Sequence, residues 1–401
     1  MKPYWLILLV TLLVPTTHAQ QEEGSVDRRQ TRQIKRLFQK IGDQFLDDDF
    51  QAVESSFDLP KLIESTEQRG ILDLGSDDRQ RDTYTRNFKT GFNSKLHSWG
   101  ELISWYQFEV TEIRRNSDDS VSVMTRHWDD SDEVYFRMQW WLHDTDTGWK
   151  IFDLADVDSS LRVSTMMAIG FNAAKQQKPW LEPMRSIVNK INELGDLNSV
   201  ILDESLIEDT QAMLHEDAPE DVRFFGLLAV CLHQLYAKED PAGALVTSGE
   251  MAKINSSAPV ILLLQADAHQ LASQPEQALK AYRQYAERFG WDAETCETVS
   301  DIHYNLKNKN KSAEFAEMGL ADQPTSWGCL ASLAVALPAN EKSKLSAHFA
   351  KIGNDLDAME LVTNWAINND DLAAARQILS LMRQHHPDSP LINLYQEQFD
   401  Q

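Results

Sequence analysis

The hydrophobic pattern changes twice along the chain. Near the N-terminus, apolar residues recur every three or four positions, which predicts an amphipathic helix over residues 28–45. A second, short helix is predicted over 50–60, with Leu62 and Ile63 after it, and a third, longer helix over 78–96. β-Branched and aromatic runs then follow, separated by segments rich in Asp, Asn and Ser that predict hairpin turns. These runs predict strands at 103–114, 121–128, 133–143 and 148–157.

From Pro179 onward the pattern is helical again. Helices followed by a four-stranded meander predict an α+β domain over residues 28–170. Residues 171–220, with Pro179-Trp180 and the segment 194–203, are interpreted as a helical hinge and an atypical capping pair. Residues 221–401 are predicted to form an all-α domain.

An internal repeat is the strongest signal in the all-α part. The segment Glu239–Leu245 matches Ser273–Leu279 at an offset of thirty-four positions, and the same step leads from Ala278 to Ser312. This offset is the tetratricopeptide (TPR) period. Residues 221–401 therefore resemble TPR repeats, although unrelated packed helices with a chance periodicity are an alternative. The resemblance implies stacked helix pairs with a concave groove for a protein partner, and it places Ala244 and Ala278 where paired helices touch.

Composition and the N-terminal segment limit the class of protein. The chain has 401 residues and a net charge of −24, which argues against nucleic-acid binding because phosphates need clustered cations. The N-terminus predicts a signal peptide that is cleaved after Ala19. The evidence is Lys2, the apolar run Tyr4–Val14 and small residues one and three positions before the cut. A polar leader follows at 20–27. We therefore expect a periplasmic or secreted protein that is not integral to a membrane, with an uncleaved anchor as the alternative.

The sequence contains no catalytic signature. GxSxG, HExxH, GxGxxG and phosphate-loop motifs are absent, and no Cys/His spacing suits zinc. We predict no catalytic residues, no cofactor and no metal. The chain has three cysteines, Cys231, Cys296 and Cys329, which can form at most one disulfide bridge among themselves. We interpret them as small buried hydrophobic residues.

The third predicted strand carries the candidate ligand site. Because neighbouring strand residues face opposite ways, Trp140 and Trp141 cannot both enter one core. Trp140 belongs to an apolar face, whereas the opposite face mixes aromatic and polar groups. We predict that this second face is a ligand pocket or docking surface, with coverage by a helix or by the repeat domain as the alternative. The candidate residues are Tyr135, Arg137, Gln139, Trp141 and His143.

The first helix holds the main concentration of positive charge in the chain, formed by Arg28, Arg29, Arg32, Lys35, Arg36 and Lys40. One interpretation is an internal complement to acidic loops. The other is a surface for anionic lipid head groups.

Three segments of the N-terminal domain carry a second resemblance. They are Phe57–Leu62, the helix Arg79–Leu96 and the strand Gly148–Asp153, with its Gly-Trp-Lys start. In this order they resemble the periplasmic phospholipid-shuttle family (MlaC type) and nuclear-transport-factor-2-like (NTF2-like) domains. The resemblance implies helices over a curved sheet around a cavity for an apolar ligand.

Two functions follow as hypotheses. The first is an exported, non-enzymatic binding or scaffold protein, with a protein partner on the helical repeats. The second is a periplasmic carrier that holds a lipid or other hydrophobic ligand in the N-terminal domain. An enzyme using Asp153 or His143 as a base is a third hypothesis, with no paired nucleophile or metal set to support it.

Overall fold

The computed structural model describes residues 26–74, 77–102, 105, 107–128, 135–172, 178–194, 204–338, 341 and 343–399. The predicted signal peptide and leader up to residue 25, and residues 173–177 and 195–203 of the predicted hinge, lie outside these ranges. The N-terminal domain begins with four helices and continues with four strands. These elements are α1 (Arg28–Leu46), α2 (Phe50–Glu54), α3 (Leu59–Gln68), α4 (Asp78–Leu102), β1 (Gln107–Arg115), β2 (Val121–Trp128), β3 (Tyr135–Thr145) and β4 (Gly148–Asp156).

The four strands form one antiparallel meander in the order β1-β2-β3-β4. In its register Val123 pairs with Trp140, and Arg126 pairs with Arg137. The predicted start of the first strand at residue 103 was wrong, because β1 begins at Gln107 and α4 continues to Leu102. Trp105, which made this stretch resemble a strand, instead lies in the core and stacks on Phe45 with ring centroids 4.8 Å apart.

One face of the sheet packs against the N-terminal helices. Trp140 lies in this core, where its ring meets Phe38 edge to face at 5.4 Å. The indole Nε1 of Trp140 donates a hydrogen bond to Thr125 Oγ1 at 2.7 Å, so its single polar atom is satisfied. The alternation along β3 thus places Trp140 with the helices and turns Arg137 and Trp141 to the other face.

The rest of the described chain is helical. After α5 (Val163–Asn172) and α6 (Leu181–Leu194) come α7 (Glu204–Asp209) and the 3₁₀ turn Thr210–Leu214. The helices that follow are α8 (Glu220–Tyr236), α9 (Pro241–Ile254), α10 (Val260–Leu271), α11 (Pro275–Phe289), α12 (Ala293–Asn305), α13 (Lys309–Asp322), α14 (Trp327–Ala336), α15 (Lys344–Lys351), α16 (Leu356–Asn368), α17 (Leu372–His385) and α18 (Leu391–Phe399). No described helix is long and apolar enough to cross a membrane.

Three successive pairs of these helices repeat with the TPR period. The second helices α9, α11 and α13 begin at Pro241, Pro275 and Lys309, each thirty-four positions after the last. The turns within these pairs repeat as well, because Glu239, Ser273 and Lys307 all have a positive φ, between 51° and 62°. The matching position of each second helix is fully buried, and it is occupied by Ala244, Ala278 and Ser312. The C-terminal region is therefore an array of TPR-like helix pairs.

The first helices of the pairs form one layer of the array. Helix α14 contacts α12 before it and α16 after it, and α13 contacts the first helix that follows, α14. Close approach needs small residues. At Gly319 of α13, an added Cβ would overlap the Sγ of Cys329 on α14. Cys231, Cys296 and Cys329 are all buried free thiols.

The second face of the sheet packs against one edge of the array. Met124 and Val157 from the sheet side form an apolar cluster with Tyr285 and Phe289 of α11. The sheet therefore lies between the N-terminal helices and the array, and the array edge that it contacts is formed by the connections between successive pairs.

Candidate functional site

Arg137 lies at the joint between the sheet and the array. Its guanidinium donates a hydrogen bond to the Tyr285 hydroxyl at 3.1 Å and lies 3.4 Å from the Asp292 carboxylate, both from the array. Asp158, at 3.0 Å, and Glu294, at 3.2 Å, complete a ring of acceptors around it. Burial opposes the charge on Arg137, but these neighbours more than offset that effect and raise its pKa above the ordinary value. This candidate residue thus contacts the chain's own repeat domain.

A second arginine strengthens the joint one strand away. Arg126 of β2 donates to the backbone oxygen of Trp291 at 2.9 Å and pairs with Asp322 at 3.2 Å. Both contacts lie at connections that start or end a helix of the array. The sheet therefore holds several successive helix pairs through charged side chains as well as through the apolar cluster.

Gln139 and Trp141 line a polar cleft between the sheet and the start of the array. The cleft has a volume of about 410 Å³ and is also lined by residues of α3, the β1–β2 turn, α8 and the end of α9. The guanidinium of Arg162 lies 3.9 Å from the centre of the Trp141 ring, a cation–π contact. Trp141 packs mainly with Phe152 and Ala155, apart from the large core.

A buried ion cluster forms one wall of this cleft. Arg69, the residue after α3, contacts Asp153 of β4 at 3.2 Å and pairs with Asp221 of α8, while Arg162 lies 3.6 Å from Asp153. Burial raises the pKa of Asp221, but Arg162 and Arg69 outweigh it, so that the pKa lies below the usual range. Both carboxylates are occupied by guanidinium groups, so this wall is suited to binding rather than to proton transfer.

The two remaining candidates lie toward the ends of β3. The ring nitrogen Nε2 of His143 lies 2.9 Å from the Asp58 carboxylate, beside the N-terminus of α3. Tyr135 begins β3, and its side chain lies outside the described residues. The structure therefore brings Gln139 and Trp141 together in the cleft, while Arg137 lies at the joint and His143 at a helix cap.

The first helices of the array carry a set of carboxylates that the sequence interpretation missed. We call Asp267, Glu294, Glu297 and Asp301 the acidic strip. Asp267 of α10 accepts hydrogen bonds from two tyrosine hydroxyls, Tyr236 at 2.7 Å and Tyr282 at 2.6 Å. The repeat itself was the available signal, because Asp267 and Asp301 are separated by one repeat period and so take the same position in consecutive first helices.

The charges of the acidic strip act on one another. Burial raises the pKa of Glu297 to about 7, with the charges of Asp301 and Glu294 adding to the effect. Glu297 has no hydrogen-bond or ion-pair partner among the described residues. Its carboxylate lies over Gly328, where an added Cβ would overlap it, and the neighbouring Trp327 is 51% exposed. The strip is thus a negative surface beside an exposed aromatic ring.

The described residues contain no group of three or more His, Cys, Asp or Glu side chains that could hold a metal ion. Burial raises the pKa of the Cys231 and Cys329 thiols to about 12. These two thiols are therefore protonated at neutral pH, the form that is unreactive as a nucleophile.

Comparisons with known proteins give a limited result. No protein-family model matches the chain, and no curated protein matches it. Solved structures that match include YrrB, described as a TPR protein with an unusual peptide-binding site, at 12% identity and a TM-score of 0.29 over 41% of this chain and 87% of that one. PilF of Pseudomonas aeruginosa matches at 13% identity and a TM-score of 0.36 over 55% and 99%.

The Cut9–Hcn1 hetero-tetramer of the APC/C matches at 13% identity and a TM-score of 0.27 over 58% of each chain. TM-scores this low carry no argument about function. The TPR-like nature of the array rests on its repeat period and on the packing of its helix pairs.

Proposed function

We propose that this protein is a non-enzymatic scaffold that binds a basic segment of a polypeptide along the acidic strip. The observation that carries the proposal is Glu297, a half-buried carboxylate whose pKa is raised to about 7 and which has no partner among the described residues. Like charges held together in a partly buried place are unfavourable, and a lysine or arginine side chain would relieve them. Functional sites commonly carry such a local cost in stability.

The surroundings of the strip suit a polypeptide. Trp327, exposed at the start of α14, offers an aromatic surface beside Glu297, and aromatic residues are enriched where proteins bind one another. The hydroxyls of Tyr236 and Tyr282 hold Asp267 in place without neutralising it. A segment that alternates basic and apolar side chains would meet both kinds of group.

In this proposal the α+β domain stabilises the array and supplies the polar cleft at Gln139 and Trp141 as a second contact surface. We propose an NTF2-like arrangement for this domain, supported by the helices that cover one face of its antiparallel sheet. The signal-like N-terminus supports export, with a periplasmic or secreted location after cleavage at Ala19.

The carrier hypothesis requires an apolar cavity inside the α+β domain. In the described residues, the space between helices and sheet is filled by the aromatic rings of Phe38, Phe45, Trp105 and Trp140. Because no observation favours a hydrophobic ligand there, we do not propose a carrier function.

The test is a titration with a synthetic peptide of alternating lysine and leucine, followed by fluorescence anisotropy. We expect binding that weakens with salt, and we expect Glu297→Gln with Asp301→Asn to lower the affinity by about tenfold for each charge removed. The matched control is Glu287→Gln with Glu314→Gln, on the exposed surface of second helices. The proposal fails if the two double variants bind the peptide equally, or if the same peptide with glutamate for lysine binds as well.

A further inference from the structure

The outer side of α1 is a positively charged ridge. Six cations between Arg28 and Lys40 are exposed, and at about 100° per residue they fall within an arc of about 140°. The buried side of the same helix, with Ile34, Phe38 and Ile41, lies opposite this arc in the core. We call the six exposed residues the basic ridge, and they are Arg28, Arg29, Arg32, Lys35, Arg36 and Lys40.

The basic ridge is not neutralised within the described part of the protein. None of its six side chains forms an ion pair or side-chain hydrogen bond with another described residue. Some other cations of the N-terminal helices do have partners, such as Lys61 with Glu64 and Lys89 with Glu54. The described residues thus give no support to the interpretation of an internal complement to acidic loops. The ridge stands out on a chain of net charge −24.

We propose that the basic ridge binds the surface of an anionic lipid bilayer. The ridge is about 18 Å long, which exceeds the Debye length of about 8 Å at physiological salt, so its partner must present negative charge over a similar length. A bilayer containing anionic lipid does this without any fixed arrangement of charges. Each lysine or arginine near such a surface improves binding by about fivefold.

The shape and composition of the ridge favour a bilayer over an acidic protein. Protein interfaces have a core of apolar and aromatic residues, but no large apolar side chain is exposed on α1 before Leu46, at its end. On the flank formed by Arg28, Arg32 and Lys35 the ridge is the convex outer surface of a helix, so this flank offers no groove in which a folded partner could bury area. A lipid surface needs neither feature, and because the apolar side of α1 is buried, attachment would be electrostatic without insertion.

A cleft beside the ridge provides the competing explanation. Arg29, Arg36 and Lys40 line a space of about 580 Å³ next to Trp149 and the β3–β4 turn, whereas Arg28, Arg32 and Lys35 lie on the flank away from it. A free anion would use the cleft flank alone. A bilayer would use both flanks.

The experiment measures sedimentation of the full chain with vesicles of equal parts phosphatidylglycerol and phosphatidylcholine. We expect binding that disappears with pure phosphatidylcholine and falls by about a hundredfold in the outer-flank variant Arg28→Gln, Arg32→Gln, Lys35→Gln. The control is Lys280→Gln, Arg283→Gln, Lys311→Gln on exposed second-helix surfaces, which should bind as the wild type does. Far-UV circular dichroism checks that each variant is folded.

Two results with the variants would overturn the proposal. One is unchanged vesicle binding by the outer-flank variant. The other is a loss of vesicle binding only in the triple variant Arg29→Gln, Arg36→Gln, Lys40→Gln, together with competition by soluble glycerophosphate. That result would assign a free anion to the cleft. Absence of vesicle binding by the wild type at low salt would equally exclude a bilayer.

Discussion

Arg137 on the third strand and Tyr285 on helix α11 are 148 residues apart in sequence, yet the guanidinium donates to the tyrosine hydroxyl at 3.1 Å. The same guanidinium lies 5.8 Å from the centre of the Tyr285 ring. This contact joins the α+β domain to the helical array. It makes the mixed face of β3 an internal docking surface at Arg137 and leaves an open cleft only further along, at Trp141.

The contacts of Arg137 at the joint predict that Arg137→Gln strongly lowers the stability of the protein. The substitution removes the cation while leaving Asp292, which is 1% exposed, with a buried negative charge, so we expect a loss of about 3–5 kcal/mol in the free energy of unfolding. Urea denaturation measures this, with Arg115→Gln as the control because the carboxylate paired with Arg115, that of Asp119, is exposed. A loss no greater than in the control would show that the joint is not held by this charge.

The two neighbouring tryptophans should differ in their contribution to stability. Trp140→Ala empties a site among Phe38, Trp105 and Thr125, and we expect a cost of about 3–5 kcal/mol. Trp141 borders the cleft, where space already exists, so Trp141→Ala should lower the free energy of unfolding by less. Equilibrium unfolding of both variants decides the matter, and a larger loss for Trp141→Ala would contradict the assignment of the two faces.

The helix pairing predicts that Ala278→Leu overpacks a closed contact. Ala278 is fully buried where α11 meets its partner helix, so we expect a loss of about 1–3 kcal/mol. Ala242→Leu is the matched control, since Ala242 is exposed in the first turn of α9. Equal melting temperatures for the two variants would argue against the repeat register.

The raised pKa of Glu297 predicts that the stability of the protein depends on pH. Its pKa is raised from 4.5 to about 7 in the folded protein, so between these values the folded state binds more protons than the unfolded state. The free energy of unfolding contributed by this group therefore falls as pH rises through that window. Glu297→Gln should be more stable than the wild type by about 1 kcal/mol at about pH 8, with the difference vanishing at about pH 4. Urea titrations at both pH values test this, and an equal difference at both would exclude Glu297 as the cause.

The sequence predicted the parts of the fold that depend on local periodicity. The apolar spacing of Ile34, Phe38 and Ile41 placed α1, and the repeat offset placed Ala244 and Ala278 in buried contacts. It could not place Arg137 against Tyr285, because alternation along a strand shows that a face is different but not what covers it. Trp105 was assigned to a strand for a similar reason, since a buried aromatic residue is compatible with a strand and with a connection.

The environment of the acidic strip could not be predicted from the sequence. Asp267 and Asp301 share a repeat position, but burial is the main cause of the raised pKa of Glu297, and its carboxylate lies against Gly328 of α14. Such an environment arises from the approach of helices that are distant in sequence. The cluster of exposed charges in the basic ridge could be predicted from the sequence, because helical periodicity alone places these side chains together.

The central claim, that the acidic strip binds a basic polypeptide segment, is tested most directly at Trp327. In protein labelled with fluorotryptophan, with the signal assigned through Trp327→Phe, the ¹⁹F resonance of Trp327 is followed during titration with the alternating lysine–leucine peptide. We predict that this resonance shifts progressively and that Glu297→Gln with Asp301→Asn weakens the response. A resonance that stays fixed while the signal of Trp141 or Trp149 shifts would place the peptide elsewhere and contradict the claim.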